Sequence, residues 1–129
     1  MLLVKASAGE SRIHGRGLMA RELIRAKTVV WVFTPGFDVE MTCEQFDALA
    51  PAHRDEIRRY VYTEKETGAI ILCADDARYM NHADPPNTRT VGRQTVALVD
   101  ISPGEEITCN YAEFDVRSCS SNDSKGSQF

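Results

Sequence analysis

Apolar and β-branched positions come in short runs separated by glycine through the first third of the chain. Residues 2–6 predict a strand, and Gly9, Gly15 and Gly17 then mark tight turns. Residues 28–34 carry the strongest strand signal, β-branched and aromatic throughout, and Pro35-Gly36 ends it. The period then changes to that of a helix. Thr42 and Gln45 have the spacing of a capping box, with Phe46 and Leu49 on one face of the turn that follows. Pro51 interrupts this helix and suits the first turn of the next one, whose apolar stripe is Ile57, Tyr60 and Val61. Gly68 closes the helical insert. Strand-like runs return at 69–74, 95–99 and 106–110, with a helical turn expected at 75–80 and a chain reversal at 102–105. From Arg117 onward the chain is polar, with five serines among its last 13 residues, and reads as a disordered tail. Many short strands around a small helical insert predict a mainly β domain.

Composition bounds the functional classes. A chain of 129 residues, 43% hydrophobic and 26% charged, has the size and balance of one globular domain. No apolar run reaches the length of a membrane span. The first residues hold no long apolar stretch, so no secretory signal is expected. A cytoplasmic place is the default expectation, with entry into a nucleus or export to a host cell left open. Nineteen acidic against fifteen basic residues give a net charge of −4. That balance argues against direct nucleic-acid binding and favours a basic partner. The four cysteines show no CxxC spacing, and Cys73 and Cys109 fall in apolar runs. Reduced, mostly buried thiols are therefore expected rather than a zinc knuckle.

Three segments carry candidate chemistry. Gly15-Arg16-Gly17 offers backbone that a ligand can approach closely, although the pattern alone is also that of an ordinary turn. Asn81-His82-Ala83-Asp84-Pro85-Pro86-Asn87 combines donors and acceptors with a stiffened backbone, suited to a small polar ligand or to a capped turn. Gly104-Glu105-Glu106-Ile107-Thr108-Cys109-Asn110-Tyr111 places a tyrosine at a strand end, where its hydroxyl could serve a reaction or simply rim the core. Asp75, Asp76, His82 and Asp84 form a competing metal-type cluster, without any HExxH or HxH spacing to support it.

In this order and spacing the three segments resemble the SET domain of protein-lysine methyltransferases. The resemblance rests on the NHxxxPN segment followed by GEEIxxxY, with Val99-Asp100-Ile101 resembling the family's lead-in to the last motif. It covers residues 5–115, leaving 116–129 as the tail. It implies a β-clip of several small curved sheets, with a short helical insert and a knot-like C-terminal segment. It also implies S-adenosylmethionine as methyl donor, held by Gly15, Arg16, Gly17, Asn81 and His82, with Phe114 closing over the cofactor or the substrate channel. Tyr111 is then the catalytic tyrosine. Tyr60, Tyr62 and Cys109 would line the lysine channel.

The departures from the family pattern shape the remaining expectations. Ala83-Asp84 replaces the usual Ser-Cys, and Cys119 alone lies in the tail, so no zinc is expected. Cys109 stands where many members carry Phe or Tyr, which implies a wider channel and more than one methyl transfer. In this the chain is similar to the short stand-alone SET proteins of bacteria and viruses. The implied substrate is a lysine of a basic protein such as a histone, a histone-like protein or a ribosomal protein. Glu105, Glu106, Glu113 and Asp115 are acidic candidates for contacting it, or a solvated face. A homodimer could complete the substrate groove. The alternative is a non-catalytic SET module that binds a protein partner or S-adenosylmethionine without turnover.

Overall fold

The computed structural model describes residues 1–114 of the 129. Asp115, Cys119 and the expected 116–129 tail lie outside the described residues. Ten short strands and two short helices follow one another in the order β1 (Ala6–Glu10), β2 (Arg16–Ala20), β3 (Val29–Val32), β4 (Val39–Met41), α1 (Cys43–Asp47), α2 (Pro51–Ile57), β5 (Val61–Thr63), β6 (Ile70–Leu72), β7 (Asn81–His82), β8 (Thr88–Val91), β9 (Gln94–Ala97) and β10 (Glu106–Cys109). Single 3-10 turns at Asp76–Tyr79 and Tyr111–Glu113 flank the last third. No helix among the described residues is long and apolar enough to cross a membrane.

The strands form three small sheets, ordered β1-β2-β10-β7, β3-β9-β8 and β4-β6-β5. In the first, β10 pairs antiparallel with β2 and parallel with β7. The C-terminal strand thus lies between two elements distant from each other in sequence. Asn87 secures it by donating from Nδ2 to the Glu106 carbonyl at 2.8 Å and accepting the Thr108 N–H at 2.7 Å. These bonds pair the Glu106 carbonyl and the Thr108 N–H, main-chain groups that would otherwise be costly to leave unmatched.

Three apolar clusters hold the sheets together. Leu18, Ile24, Val30, Ile101 and Ile107 fill the first, all at most 1% exposed. Trp31, Ile71, Cys73 and Ala77 form the second. Phe46, Ile57, Val61 and Ile70 form the third, under the helices.

The sequence pattern is obeyed where local chemistry is strong. Thr42 and Gln45 make the expected capping box, and Pro51 opens α2. Elsewhere the tertiary pairings redraw the expectations. The first strand is not 2–6 but Ala6–Glu10. Leu2 keeps only a bridge to Trp31, because the chain leaves β3 after Leu3 to pair with β2. Only Gly15 of the first three glycines turns the chain, at φ +49°. Gly9 and Gly17 instead face each other across β1 and β2. The stripe Ile57, Tyr60, Val61 does not share a helix, since α2 ends at Ile57 and Val61 opens β5. Cys73 and Cys109 are free and buried. The expectation of reduced thiols fails at Cys43, which opens α1 half-buried against the third cluster and is disulfide-bonded.

Candidate active site

Asn81 is 9% exposed, and its side chain organises one half of the site. Its Nδ2 approaches four acceptors: Ser11 Oγ at 3.1 Å, the His14 carbonyl at 3.1 Å, the Arg16 carbonyl at 3.0 Å and Glu106 Oε2 at 2.9 Å. An amide carries two hydrogens, so these contacts are shared. Ser11 completes the node by donating to Glu106 Oε1 at 2.7 Å. The same hydroxyl accepts from the Ile13 and His14 N–H groups, which shapes the hairpin loop ahead of Gly15.

Gly17 belongs to this node for a steric reason. A Cβ there would stand 2.3 Å from Glu106 Oε2 and 2.7 Å from Glu106 Cδ. A side chain at the second glycine of Gly15-Arg16-Gly17 would have to displace the Glu106 carboxylate from its bonds to Asn81 and Ser11. Glu106, read from sequence as a candidate substrate contact or part of a solvated face, is a half-buried member of the interior node. Glu113 is likewise engaged, accepting the Thr90 N–H at 3.1 Å.

His82 joins this half to Tyr111. The Tyr111 backbone N–H donates to His82 Nδ1 at 3.0 Å. An accepting Nδ1 carries no proton, so the ring bears its hydrogen on Nε2. The two rings lie 5.2 Å apart. Asn110 fixes the turn that presents Tyr111 by accepting the Ala112 N–H at 2.9 Å. The Tyr111 hydroxyl lies 3.4 Å from the Met80 carbonyl. Burial, and next the neighbouring Cys109, push its pKa up to about 12, against a smaller lowering by the His82 main chain beside the hydroxyl.

On the far side of Tyr111 opens a small cavity of about 60 Å³. Tyr60, Tyr62, Cys109, Tyr111 and Phe114, distributed over β5, β10 and the segments beside them, all line it. Phe114 packs on Tyr62 with ring centres 4.7 Å apart. The Cys109 thiol, pushed up to about 12 by burial, stays neutral, as does Cys73 for the same main reason. No carboxylate lines the cavity among the described residues, and Arg78 is its one cation.

The structure thus brings the glycine-turn, Asn81-His82, aromatic and Cys109 candidates into one neighbourhood with two halves, whereas exposed Glu105 accepts the Ser102 N–H and Asp115 lies outside the described residues. Arg16 connects them, with its guanidinium 5.8 Å from the Tyr79 ring centre and Tyr79 edge-on to Tyr60 at 5.5 Å. Sequence reasoning missed Ser11, Arg78, Tyr79 and Met80, and it missed the cavity walls Trp31, Thr90 and Thr95. Arg78, Tyr79 and Met80 directly precede Asn81, and that adjacency was the one available signal. The rival metal cluster has another use for its carboxylates. Asp75 accepts from Leu2 and Ala77 N–H groups, and Asp76 accepts from Ala8. Among the described residues no group of three or more His, Cys, Asp or Glu side chains could hold a metal ion.

The family model "SET domain" matches residues 15–112. No curated protein matches the chain. Among solved structures, the chain is similar to an apo form of the Polycomb Repressive Complex 2 of Chaetomium thermophilum with mutations in Ezh2, at 26% identity and a TM-score of 0.67. That match covers 87% of this chain and 16% of the other. It is also similar to the same complex in an autoinhibited conformation bound to S-adenosylmethionine, at 26% identity and TM-score 0.59, covering 85% of this chain and 15% of that one. A provisionally named histone methyltransferase of Plasmodium falciparum shares the fold at 22% identity and TM-score 0.59, over 85% of this chain and 95% of its own. The chain therefore spans about a sixth of the Chaetomium chain it matches at TM-score 0.67.

Proposed function

The chain belongs to the SET-domain family, and on that premise we propose that it is an S-adenosylmethionine-dependent protein-lysine N-methyltransferase acting on a basic protein. The observation that carries this reading is the position of Tyr111. It is tied to His82 on one side and walls an apolar, carboxylate-free cavity on the other.

The residues of the first half suit the methyl donor. Its carboxylate calls for a cation, its ammonium for an acceptor and its adenine for an apolar or aromatic surface. Arg16 offers the cation and Tyr79 an aromatic face. Asn81 Oδ1 has no donor among the described residues, and His82 holds an Nε2–H. We therefore assign Gly15, Arg16, Gly17, Asn81 and His82 to cofactor binding. When bound, S-adenosylmethionine supplies an electrophilic methyl group on a cationic sulfur.

The second half would take the lysine. Its amine must be neutral to attack, whereas an ordinary lysine has a pKa of about 10.4. Tyr60, Tyr62, Cys109 and Phe114 would surround the aliphatic stem with surface that solvates no charge. Desolvation and the nearby Arg78 both disfavour the ammonium, which lowers the lysine pKa. Tyr111 would position the amine through its hydroxyl. With its pKa near 12, only roughly one phenol in 10⁵ is ionised at neutral pH, so it acts as a neutral hydrogen-bonding group and the proton leaves to water. Holding the nitrogen in line with the methyl group then provides much of the rate.

The test is transfer of labelled methyl to core histones, histone-like and ribosomal proteins, read by mass spectrometry alongside Tyr111→Phe. Lysine methylation lost in the variant supports the enzyme. Cofactor binding without transfer to any protein would favour a non-catalytic module.

A further inference from the structure

Three cavity walls come from separate segments: Trp31 from β3, Tyr62 from β5, and Thr95 with Thr90 from the β8–β9 hairpin. Two residues along the chain from each stands a partner in a single ionic cluster. Phe33 follows Trp31, Glu64 follows Tyr62, and Arg93 precedes Thr95. In extended chain, two residues span roughly 7 Å. The cluster therefore sits beside the cavity walls along all three segments, with Phe33 packed against the Trp31 core cluster.

Arg93 is its centre. The residue sits in the two-residue turn between β8 and β9. Its Nε and Nη2 donate to the two Glu64 oxygens at 2.9 and 2.8 Å. Nη1 and Nη2 donate to the two Glu40 oxygens at 3.0 and 2.9 Å. The guanidinium also lies 4.5 Å from the Phe33 ring centre, and its backbone carbonyl accepts the Phe33 N–H at 2.9 Å. One side chain thus grips a β4 residue, the end of β5 and the end of β3. A planar guanidinium does this because it carries five donors in a fixed fork. The Glu64 side chain is only 12% exposed, against 46% for Glu40, so the Glu64 arm is the less screened.

We propose that Arg93 is a positioning residue that fixes the spacing of the cavity walls, and through it the bulk the cavity admits. The Arg93–Glu64 pair sets the distance between β5 and the β8–β9 hairpin, hence between Tyr62 and Thr95. The Glu40 arm only steadies the outer strand β4, which contributes no cavity wall. The catalytic part of this inference rests on reading the cavity as the lysine channel.

The chain has one tryptophan. It is Trp31, 3% exposed in the cavity wall, so its emission reports the cavity without any turnover. The experiment compares acrylamide quenching of Trp31 in the natural protein, Arg93→Met, Glu64→Gln and Glu40→Gln. Loss of the inner arm should raise quenching about threefold in the first two variants by local opening, with a smaller change in Glu40→Gln. If Arg93→Met does not fold, Glu64→Gln decides the matter. Equal quenching in all the folded proteins overturns the proposal. In the methyl-transfer assay the KM for the protein substrate should rise about tenfold, with the KM for S-adenosylmethionine within about twofold. A fall in kcat with both KM values unchanged would also overturn it. If the natural protein transfers no methyl group, the channel reading fails while the quenching comparison still decides the clamp.

Discussion

The Asn81 side-chain amide meets Glu106 Oε2 at 2.9 Å, across 25 residues of chain. This contact joins the last strand to the segment that leads into His82, and Ser11 and the Arg16 carbonyl close around it. The loop expected to cradle a cofactor is therefore shaped from behind by a carboxylate. Removing either partner leaves a desolvated polar group without its mate, which is costlier than losing the bond itself.

Glu106→Ala should accordingly destabilise the domain by about 2 kcal/mol in denaturant titration and weaken S-adenosylmethionine binding. Gly17→Ala should be damaging on its own, because its Cβ would collide with Glu106. Combined with Glu106→Ala, the two losses should be less than additive, since the second change removes the obstacle to the first. A strictly additive pair would show that Gly17 is needed for another reason.

Tyr111→Phe removes only the hydroxyl. Transfer should fall by at least about 10²-fold while cofactor binding, measured by calorimetry, stays close to that of the natural protein. On the proposed function, the pH profile of transfer by the natural protein should rise from pH 7 as the lysine loses its proton. With the Tyr111 pKa near 12, no fall from its ionisation should set in below about pH 11. A tyrosine-dependent fall near pH 10 would contradict its buried, neutral state.

Cys109→Phe would fill the cavity next to Tyr111. Products of the natural protein, read by mass spectrometry at long reaction times, should include more than one methyl group per lysine. The variant should stop at the monomethyl product. Accumulation of monomethyl lysine alone in the natural protein would count against a widened channel.

Alkaline stability provides a check that needs no substrate. Cys73 and Cys109 are raised from an ordinary thiol pKa of 9.0 to about 12 by burial. The unfolded chain ionises these thiols first, so their raised pKa values contribute stability that is fully present below pH 9 and is lost as the pH climbs to 12. Tm should fall across that window, and the fall should be shallower in Cys73→Ala and Cys109→Ala than in the natural protein.

Sequence alone determined what depends on near neighbours. The capping box at Thr42 and Gln45, the start of α2 at Pro51 and the strand around Trp31 follow from local backbone preference and side-chain pattern. The motif residues were also legible, because Asn81-His82 and the final tyrosine keep a distinctive spacing. Tertiary structure decided what those residues do. Gly17 looks like a turn glycine until β10 brings Glu106 against it. Arg93, Glu40 and Glu64 look like scattered surface charges until two sheets meet. Trp31, Thr90 and Thr95 read as ordinary strand positions, yet they wall the same cavity as Tyr111. The physical reason is the same in each case. Strand pairing joins residues by register rather than by sequence distance, and a site built between sheets exists only once those registers are set.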